Sequence, residues 1–140
     1  MQVFINYHGS PKIEKLSIGD WIDLRSAEDV DMEAGEYRQI SLGVSMQLPE
    51  GYEAHVAPRS STFKKWGIIQ VNGIGIIDNS YCGNDDIWRM PVLAMRNTHI
   101  HKGDRIAQFR VVQKQPSVEF VEVDYLEGPT RGGFGSTGTK

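Results

Sequence analysis

The chain contains very little cysteine, with Cys82 the single example among 140 residues. One cysteine excludes a disulfide framework within the chain, so we expect a reducing, cytoplasmic location. Long hydrophobic runs are absent, and the first residues lack the apolar core of a signal peptide. The sequence therefore predicts neither a membrane partner nor export.

An excess of positive charge is also absent. Lys and Arg number 15 against 18 Asp and Glu, which gives a formal net charge of −3. General nucleic-acid binding needs a basic face that replaces phosphate counterions. The composition therefore disfavours nucleic acid as a partner.

Several common catalytic and metal-binding signatures are missing. The chain has no Walker A loop, no G-x-S-x-G elbow and no H-E-x-x-H pair. His99 and His101 are close in sequence, but no further Cys or His cluster accompanies them. We interpret them as surface histidines and predict no metal site built from protein ligands alone.

Short apolar and alternating segments dominate the sequence. They recur at the spacing of about 8–12 residues that is typical of sandwiches and barrels. The sequence therefore predicts an all-β fold, a jelly-roll-like β-barrel. The predicted strands cover residues 1–7, 21–24, 37–41, 43–48, 53–57, 68–71, 74–77, 87–97, 105–113 and 117–125.

Other segments do not read as strands. Ser60 or Ser61 could cap one short helix that Gly67 ends, and this is the only helix expected. Residues 27–36 are acidic and are expected to form an exposed loop. Pro91 suggests an edge position or a bulge for its strand. We predict one domain over residues 1–127, followed by a flexible glycine-rich tail over residues 128–140.

The most informative stretch is V-N-G-I-G-I-I-D-N-S-Y-C-G at residues 71–83. Asn72-Gly73 between apolar segments predicts a β-hairpin with arms 68–71 and 74–77. Because Gly73 and Gly75 lack side chains, a planar ligand such as a nucleobase could lie on this backbone. Asp78 and Tyr81 follow the second arm. An ordinary hairpin with a surface aspartate is the alternative.

Two stretches could hold phosphates. In A-P-R-S-S at residues 57–61, Arg59, Ser60 and Ser61 precede a helical turn whose free N–H groups favour an anion. In G-D-R-I-A-Q at residues 103–108, Arg105 and Gln108 could face the same group. Helix capping and a surface arginine explain the first stretch equally well, and read alone the second stretch is better explained by a surface salt bridge and a solvent-facing amide.

Two further stretches have open roles. In W-I-D-L, Asp23 could orient Arg105 or a water, or it could be a satisfied structural carboxylate. The tail contains R-G-G-F-G-S-T-G at residues 131–138, in which glycines can form anion-binding nests. Arg131 could bind a terminal phosphate and Phe134 could stack on a base. We favour a lid that becomes ordered over a merely disordered terminus.

Taken in order, these stretches resemble the five motifs of the trimeric, all-β dUTP diphosphatases (dUTPases). W-I-D-L-R-S-A at residues 21–27 is similar to the first motif and A-P-R-S-S to the second. N-G-I-G-I-I-D-N-S-Y-C-G, R-I-A-Q and R-G-G-F-G-S-T-G are similar to the third, fourth and fifth. The segments G-D-W-I-D-L and N-D-D-I-W-R-M-P resemble the bacterial and prophage branch that includes Bacillus enzymes. The chain departs from the usual motifs at Asp20-Trp21, Ser61 and Asn84.

The resemblance implies hydrolysis of dUTP to dUMP and pyrophosphate, which limits uracil incorporation into DNA and supplies dUMP for dTTP synthesis. Asp78 would activate the water that attacks the α-phosphate. The remaining roles are carried over by position: uracil recognition by Asn72, Gly75, Ile76 and Ile77; contact with the deoxyribose by Tyr81; phosphate binding by Arg59, Ser60, Ser61, Arg105 and Gln108; and closure by Arg131, Phe134, Gly135 and Ser136, with Asp23 in support.

The resemblance also implies a cofactor and an assembly. Mg²⁺ would be held chiefly by the triphosphate and waters rather than by protein ligands. The protein would form a homotrimer whose sites are shared between subunits, with the tail reaching a neighbour. A prophage-encoded member could also have a regulatory protein partner, for which residues 28–36 and 84–89 are candidate surfaces.

Other functions remain open at this point. A dCTP deaminase shares the fold, but it should use a glutamate base, where this chain offers Asp78 and Tyr81. A nucleotide-sensing interaction protein would bind dUTP and act mainly through a partner. An unrelated jelly-roll binding module is disfavoured because five motifs occur in order.

Overall fold

The computed structural model describes residues 1–140 and consists of eleven strands and one short helix. The elements in chain order are β1 (Phe4–Tyr7), β2 (Ile22–Arg25), β3 (Val30–Met32), β4 (Tyr37–Ser41), β5 (Val44–Gln47), β6 (Tyr52–Pro58), α1 (Thr62–Trp66), β7 (Ile68–Gln70), β8 (Gly75–Ile77), β9 (Arg89–Ala94), β10 (Thr98–Ile100) and β11 (Arg105–Gln113). The predicted all-β fold with one short helix is confirmed.

The strands form four antiparallel sheets. A four-stranded sheet has the order β2-β11-β6-β8, and a three-stranded sheet has the order β4-β9-β7. Two-stranded sheets, β1-β5 and β10-β3, complete the fold. The long strand β11 is the centre of the first sheet, because it pairs with β2 on one side and β6 on the other.

The inward faces of these sheets share one hydrophobic core of 19 buried residues. Successive side chains of a strand point to opposite faces of its sheet, so alternate residues reach the core. In β9, Met90, Val92 and Ala94 are buried while the residues between them are more exposed. Trp88 is fully buried and meets the Phe109 ring edge-on, with centroids 5.2 Å apart. This contact joins the start of β9 to β11, so the two larger sheets are packed against each other near the sites described below.

The helix begins and ends where the sequence predicts, but its cap differs. Ser61 occupies the N-cap position without a side-chain cap hydrogen bond, so the predicted serine cap is wrong. Thr62 takes over the anchoring: its hydroxyl accepts from the Arg59 N–H (2.8 Å) and donates to the Ile106 carbonyl (2.9 Å). Gly67 ends the helix at φ 62°, the left-handed conformation that glycine tolerates.

The predicted hairpin across Asn72-Gly73 is wrong. β7 pairs with β9 and β8 pairs with β6, so the two proposed arms belong to different sheets. The turn itself is present, with Gly73 at φ 67°, and the Gln70 amide donates to the carbonyls of Val56 and Gly73. Both arms find longer partner strands elsewhere, and the local Asn-Gly signal cannot reveal that competition.

Pro91 lies in a central strand, so its predicted edge or bulge position is wrong. Its carbonyl accepts from the Val71 N–H at 3.0 Å, just beyond the end of β7. The N–H and C=O of a strand residue point to the same neighbour, so the missing donor also falls where β7 has ended. The Gln39–Pro91 pair with β4 therefore loses no ladder bond.

Two further predictions need correction. Residues 27–36 are not simply an exposed loop, because Val30 and Met32 are buried in β3, which pairs with β10. Residues 117–125 form no strand: the last strand ends at Gln113, and every residue from 113 onward is exposed. None of the chain's helical structure has the length and apolar character required to cross a membrane.

Candidate active site

Asp78 follows β8 directly and sits in a tight turn. Its Oδ1 accepts hydrogen bonds from the Ser80 backbone N–H (2.8 Å) and the Ser80 hydroxyl (2.6 Å). Its Oδ2 has no hydrogen-bond partner in the chain. The Ser80 hydroxyl and then the Ser80 N–H lower the pKa of Asp78; desolvation opposes them, and the charge of Lys114 adds a smaller lowering. The turn thus presents an ionised, exposed carboxylate with one oxygen available.

A cavity of about 460 Å³ opens beside this carboxylate. Asn72, Tyr81 and the backbone of β8 line it together with Asp78. The Tyr81 hydroxyl donates to the Ile87 carbonyl at 3.1 Å, which fixes the ring at the mouth of the cavity. The sequence-predicted residues Gly75, Ile76 and Ile77 also line it. We call this space the Asp78 cavity.

The close packing of β8 against β6 explains why position 75 is a glycine. A Cβ atom there would lie 3.2 Å from Val56 Cβ and 3.7 Å from the Asn72 Nδ2 atom. A contact of 3.2 Å forces Val56 to give way, so Gly75 lets β8 approach β6 closely and keeps the Asn72 amide beside the strand. The glycine thereby shapes the wall of the Asp78 cavity.

A second cavity, of about 320 Å³, lies elsewhere on the molecule. Asp23, Arg59, Ser60 and Gln108 line it, together with Trp21 and the 14–20 segment. We call it the Arg59 cavity. Asp23 and Gln108 lie on the adjacent strands β2 and β11, and Arg59 and Ser60 follow the end of β6, since Gln108 is in register with Asp23 and with Ala57.

Asp23 organises the cations of the Arg59 cavity. Its Oδ1 lies 3.2 Å from Arg59 Nε, and its Oδ2 lies 3.6 Å from an Arg105 guanidinium nitrogen. Arg59 also donates to the Arg105 carbonyl at 3.0 Å, and Gln108 donates to the Pro58 carbonyl at 3.1 Å. The carboxylate thus holds two guanidinium groups side by side, an arrangement that suits a multiply charged anion.

The two cavities share no lining residue, and Asp78 and Arg59 lie near opposite ends of β6. Ile77 pairs with Ala54, so Asp78 lies level with Glu53, near the start of that strand. Arg59 follows Pro58, the last residue at the other end. Six strand residues at about 3.3 Å each separate the two levels by roughly 20 Å. One chain therefore does not bring Asp78 and Arg59 to the same ligand atoms.

The family model for dUTPases matches residues 21–138 of this chain. The chain belongs to the dUTPase family. The prediction of a dUTP diphosphatase, an enzyme that hydrolyses dUTP, is thereby confirmed.

Similar proteins agree with this assignment. The SPβ prophage-derived deoxyuridine 5'-triphosphate nucleotidohydrolase YosS of Bacillus subtilis is 55% identical over 142 aligned positions, covering 100% of both chains. The deoxyuridine 5'-triphosphate nucleotidohydrolase of Finegoldia magna is 38% identical and covers 96% of each chain. The predicted likeness to the Bacillus prophage branch is therefore confirmed.

Solved structures support the fold of this dUTPase. A mutant of the Staphylococcus bacteriophage 80α dUTPase with dUpNHpp has a TM-score of 0.81 at 21% identity, covering 99% of each chain. A mutant dUTPase from phage phi11 of S. aureus, whose structure concerns the coordination of a structural Mg(II) ion, has a TM-score of 0.78 at 20% identity. That alignment covers 91% of this chain and 99% of the other.

The tail of this dUTPase lies away from both cavities. Arg131, Phe134, Gly135 and Ser136 are all exposed. Phe134 has φ 50° and is the one non-glycine residue with positive φ. It lies in a tight turn closed by the Ser136 N–H to the Gly133 carbonyl, and a second turn follows, closed by the Gly138 N–H to the Gly135 carbonyl. The tail role predicted for these four residues stays a prediction.

Sequence reasoning missed Thr62. This residue is fully buried and joins the Arg59 backbone to β11 through its two hydrogen bonds. Its position after two serines offered only a helix-cap signal, which could not identify which hydroxyl turns inward. Ser61, by contrast, makes no side-chain hydrogen bond within the chain.

Proposed function

We propose that Asp78 is the general base of dUTP hydrolysis and that water attacks the α-phosphate directly. The observation that carries the proposal is the arrangement of the Asp78 carboxylate. One oxygen is fixed by Ser80, the other has no hydrogen-bond partner, and the residue lines the cavity. Such a group can hold and deprotonate a water in one orientation.

In the proposed step, Asp78 Oδ2 accepts a proton as the water oxygen forms a bond to the α-phosphorus. The bond between the α-phosphorus and the oxygen that bridges to the β-phosphorus breaks. Pyrophosphate leaves with that oxygen, and dUMP remains. The lowered pKa of Asp78 suits this role, since the carboxylate is ionised at neutral pH without special adjustment.

The walls of the Asp78 cavity support a role in substrate selection. We propose that Asn72 and the backbone of Gly75, Ile76 and Ile77 bind the uracil, and that Tyr81 packs against the deoxyribose. The Tyr81 hydroxyl is engaged with the Ile87 carbonyl, so the ring is held in place. A fixed ring leaves no adjustable space for a 2′-hydroxyl.

The Arg59 cavity is proposed to bind the phosphates. Arg59, Ser60, Ser61 and Gln108 would contact them, with Arg105 beside these residues. Asp23 has the positioning role, since it contacts both guanidinium groups. Because its charge offsets one of the two cations, the pair keeps a net positive charge for the substrate.

The separation of the two cavities supports a composite site. A nucleotide cannot contact Asp78 through its α-phosphate and also reach Arg59 about 20 Å away along β6 of the same chain. We propose that the Asp78 cavity of one subunit faces the Arg59 cavity of another in a homotrimer. The tail, with Arg131, Phe134, Gly135 and Ser136, would close over the site from a neighbouring subunit.

We propose that Mg²⁺ enters with the triphosphate. No group of three or more His, Cys, Asp or Glu side chains in the chain could hold a metal ion by itself. Mg²⁺ commonly keeps several waters and binds through substrate phosphates, which fits these surroundings. The bound ion would neutralise phosphate charge.

The cellular role follows the same proposal. The enzyme would limit uracil incorporation into DNA and supply dUMP for dTTP synthesis in the cytoplasm, where an exposed, unpaired Cys82 is compatible with reducing conditions. The likeness to a prophage-derived relative also supports a regulatory protein partner. A nucleotide-dependent pull-down tests for that partner, and capture of no protein in either condition would count against it.

The test of the proposed chemistry is pyrophosphate release with Mg²⁺ from dUTP, UTP, dTTP and dCTP offered separately. We expect release from dUTP alone, and no ammonia from dCTP. Asp78→Asn should retain nucleotide affinity while kcat falls by about 10²–10⁴-fold. Asp85→Asn, which changes an exposed carboxylate of the following loop, is the control. Unchanged turnover in Asp78→Asn would remove Asp78 as the base.

A further inference from the structure

The turn between β5 and β6 supports the loop that carries Asp78. The Asn79 side-chain amide donates to three carbonyls of this turn: Pro49 at 2.8 Å, Tyr52 at 3.0 Å and Leu48 at 3.4 Å. An amide group has two hydrogens, so the weakest contact shares a donor with another. The residue next to Asp78 is thereby tied to residues about 30 positions earlier in the chain.

Lys114 is anchored to the same turn from the opposite side. It is the first residue after β11, and its backbone N–H donates to the Gly51 carbonyl at 2.9 Å. Its ammonium group forms no ion pair within the chain, yet its charge acts on the Asp78 carboxylate. The turn therefore holds the loop of Asp78 through Asn79 and the backbone of Lys114, a residue whose charge lowers the pKa of Asp78.

The other charged groups around Asp78 do not compete for this role. Glu53 on β6 is occupied by His55 at 2.6 Å. Arg89 at the start of β9 lines the same cavity, and Glu50 belongs to the supporting turn. None of these groups is among the causes that shift the pKa of Asp78, whereas Lys114 lowers it by less than the two Ser80 hydrogen bonds do and less than desolvation raises it.

We propose that Asn79 and Lys114 are positioning residues, which use the 48–52 turn to hold Asp78 in its productive orientation and charge state. This inference rests on the proposed role of Asp78 as the base. Asn79 fixes where the carboxylate sits, and the charge of Lys114 favours its ionised form. Neither residue needs to touch the nucleotide.

The two residues should have different kinetic signatures. Without Asn79, the Asp78 loop loses its tie to the turn, and a base displaced by about 1 Å costs on the order of tenfold to hundredfold in kcat. KM for dUTP should stay close to the wild-type value, because the contacts that bind the base and sugar are intact. Without Lys114, the main change should be in the pH dependence of kcat.

The sign of that pH effect is fixed by the charge. A nearby cation favours the carboxylate, so its removal raises the pKa of Asp78 and moves the acid limb of kcat to higher pH. The pair is exposed, and at about 1 M salt the Debye length falls to about 3 Å. High salt should therefore move the wild-type acid limb toward that of Lys114→Gln and leave the variant almost unchanged.

The experiment measures kcat, KM and the pH profile of kcat with Mg-dUTP for Asn79→Ala, Lys114→Gln and Lys114→Arg. Asn97→Ala and Lys12→Gln are the matched controls, since they change an amide and a lysine away from both cavities. Thermal unfolding and trimer mass are recorded for each variant. We expect a loss of kcat alone in Asn79→Ala, a shifted acid limb in Lys114→Gln, and a wild-type acid limb in Lys114→Arg.

The outcomes separate this inference from the proposal beneath it. If Asp78→Asn turns over dUTP normally, the base assignment fails, and this inference fails with it. If Asp78→Asn is inactive but Asn79→Ala keeps wild-type kcat, the positioning role of Asn79 is overturned. A wild-type acid limb in Lys114→Gln at low salt overturns the role of Lys114 even if Asn79→Ala does not fold.

Discussion

A subunit-mixing experiment gives the sharpest test of a site shared between chains. Asp78 is level with Glu53 near the start of β6 and Arg59 follows its last residue, so their levels are separated by roughly 20 Å along the strand. Asp78→Asn should remove the base, and Arg59→Gln should remove a phosphate-binding cation. Each variant alone should form inactive trimers, because every site in such a trimer lacks the same group.

The expected activity of mixed trimers can be calculated. A working site needs Asp78 from one subunit and Arg59 from another, so it forms only where an Arg59→Gln subunit supplies the Asp78 cavity and an Asp78→Asn subunit supplies the Arg59 cavity. With equal amounts and random assembly, each condition holds at about half of the positions. About one quarter of all sites should then be intact. If both groups acted within one chain, no mixture would restore activity.

A double variant provides the internal control. A chain carrying both substitutions is co-expressed with an equal amount of wild-type chain. Shared sites predict about one quarter of wild-type activity, whereas sites within one chain predict about one half. The subunit ratio is measured by intact mass, and pyrophosphate release is measured at saturating dUTP. Absence of complementation, together with half activity in the control, would refute the composite site.

Three further predictions concern the Asp78 turn, Thr62 and the tail. Ser80→Ala should raise the pKa of Asp78 and shift the acid limb of the pH profile of kcat to higher pH. An acid limb at the wild-type pH would contradict the role of the Ser80 hydroxyl hydrogen bond in lowering that pKa. Thr62→Val should lower the free energy of unfolding by about 1–3 kcal/mol in denaturant titrations, because the Ile106 carbonyl loses its buried donor. Deletion of residues 131–140 should lower kcat while mass measurements still give a trimer. Deletion of residues 117–140 should weaken the trimer as well. If the two deletion variants form equally stable trimers, residues 117–130 have no role in assembly.

The sequence predicts the residue types of the site better than their arrangement. Motif spacing points to Asp78, Arg59, Asp23 and Gln108, and each of them lines one of the two cavities. It cannot show that Asp23 contacts two arginines at once, because that contact depends on the register of β2 against β11. Register is set by the whole sheet and by a bulge between Arg105 and Ala107.

The errors in the fold have the same origin. Asn72-Gly73 is a genuine turn, and β7 and β8 are genuine strands, yet they do not pair with each other. Local propensity identifies each element, while partner choice depends on which distant edge can form more hydrogen bonds and bury more apolar surface. Pro91 is misplaced for a similar reason: which neighbouring strand its missing N–H would face depends on the register, and here it faces Val71, just beyond the end of β7, so no bond to β4 is lost.

The segment after β11 shows how a correct local signal can fail within one chain. Residues 118–123 read V-E-F-V-E-V, a composition suited to a strand, but Phe120 is 93% exposed and no strand forms. An extended segment with exposed apolar side chains gains stability only by pairing with an edge, and the β1-β5 sheet has free outer edges. An apolar groove of about 460 Å³, lined by Val3, Ile5 and Phe109, opens beside β1. In the single chain, residues 118–123 have no strand to pair with, and the outer edge of β1 has no strand beside it. Residues 118–123 of a second copy could pair with that edge. The trimer would then complete the fold and the active site by the same exchange of chain segments.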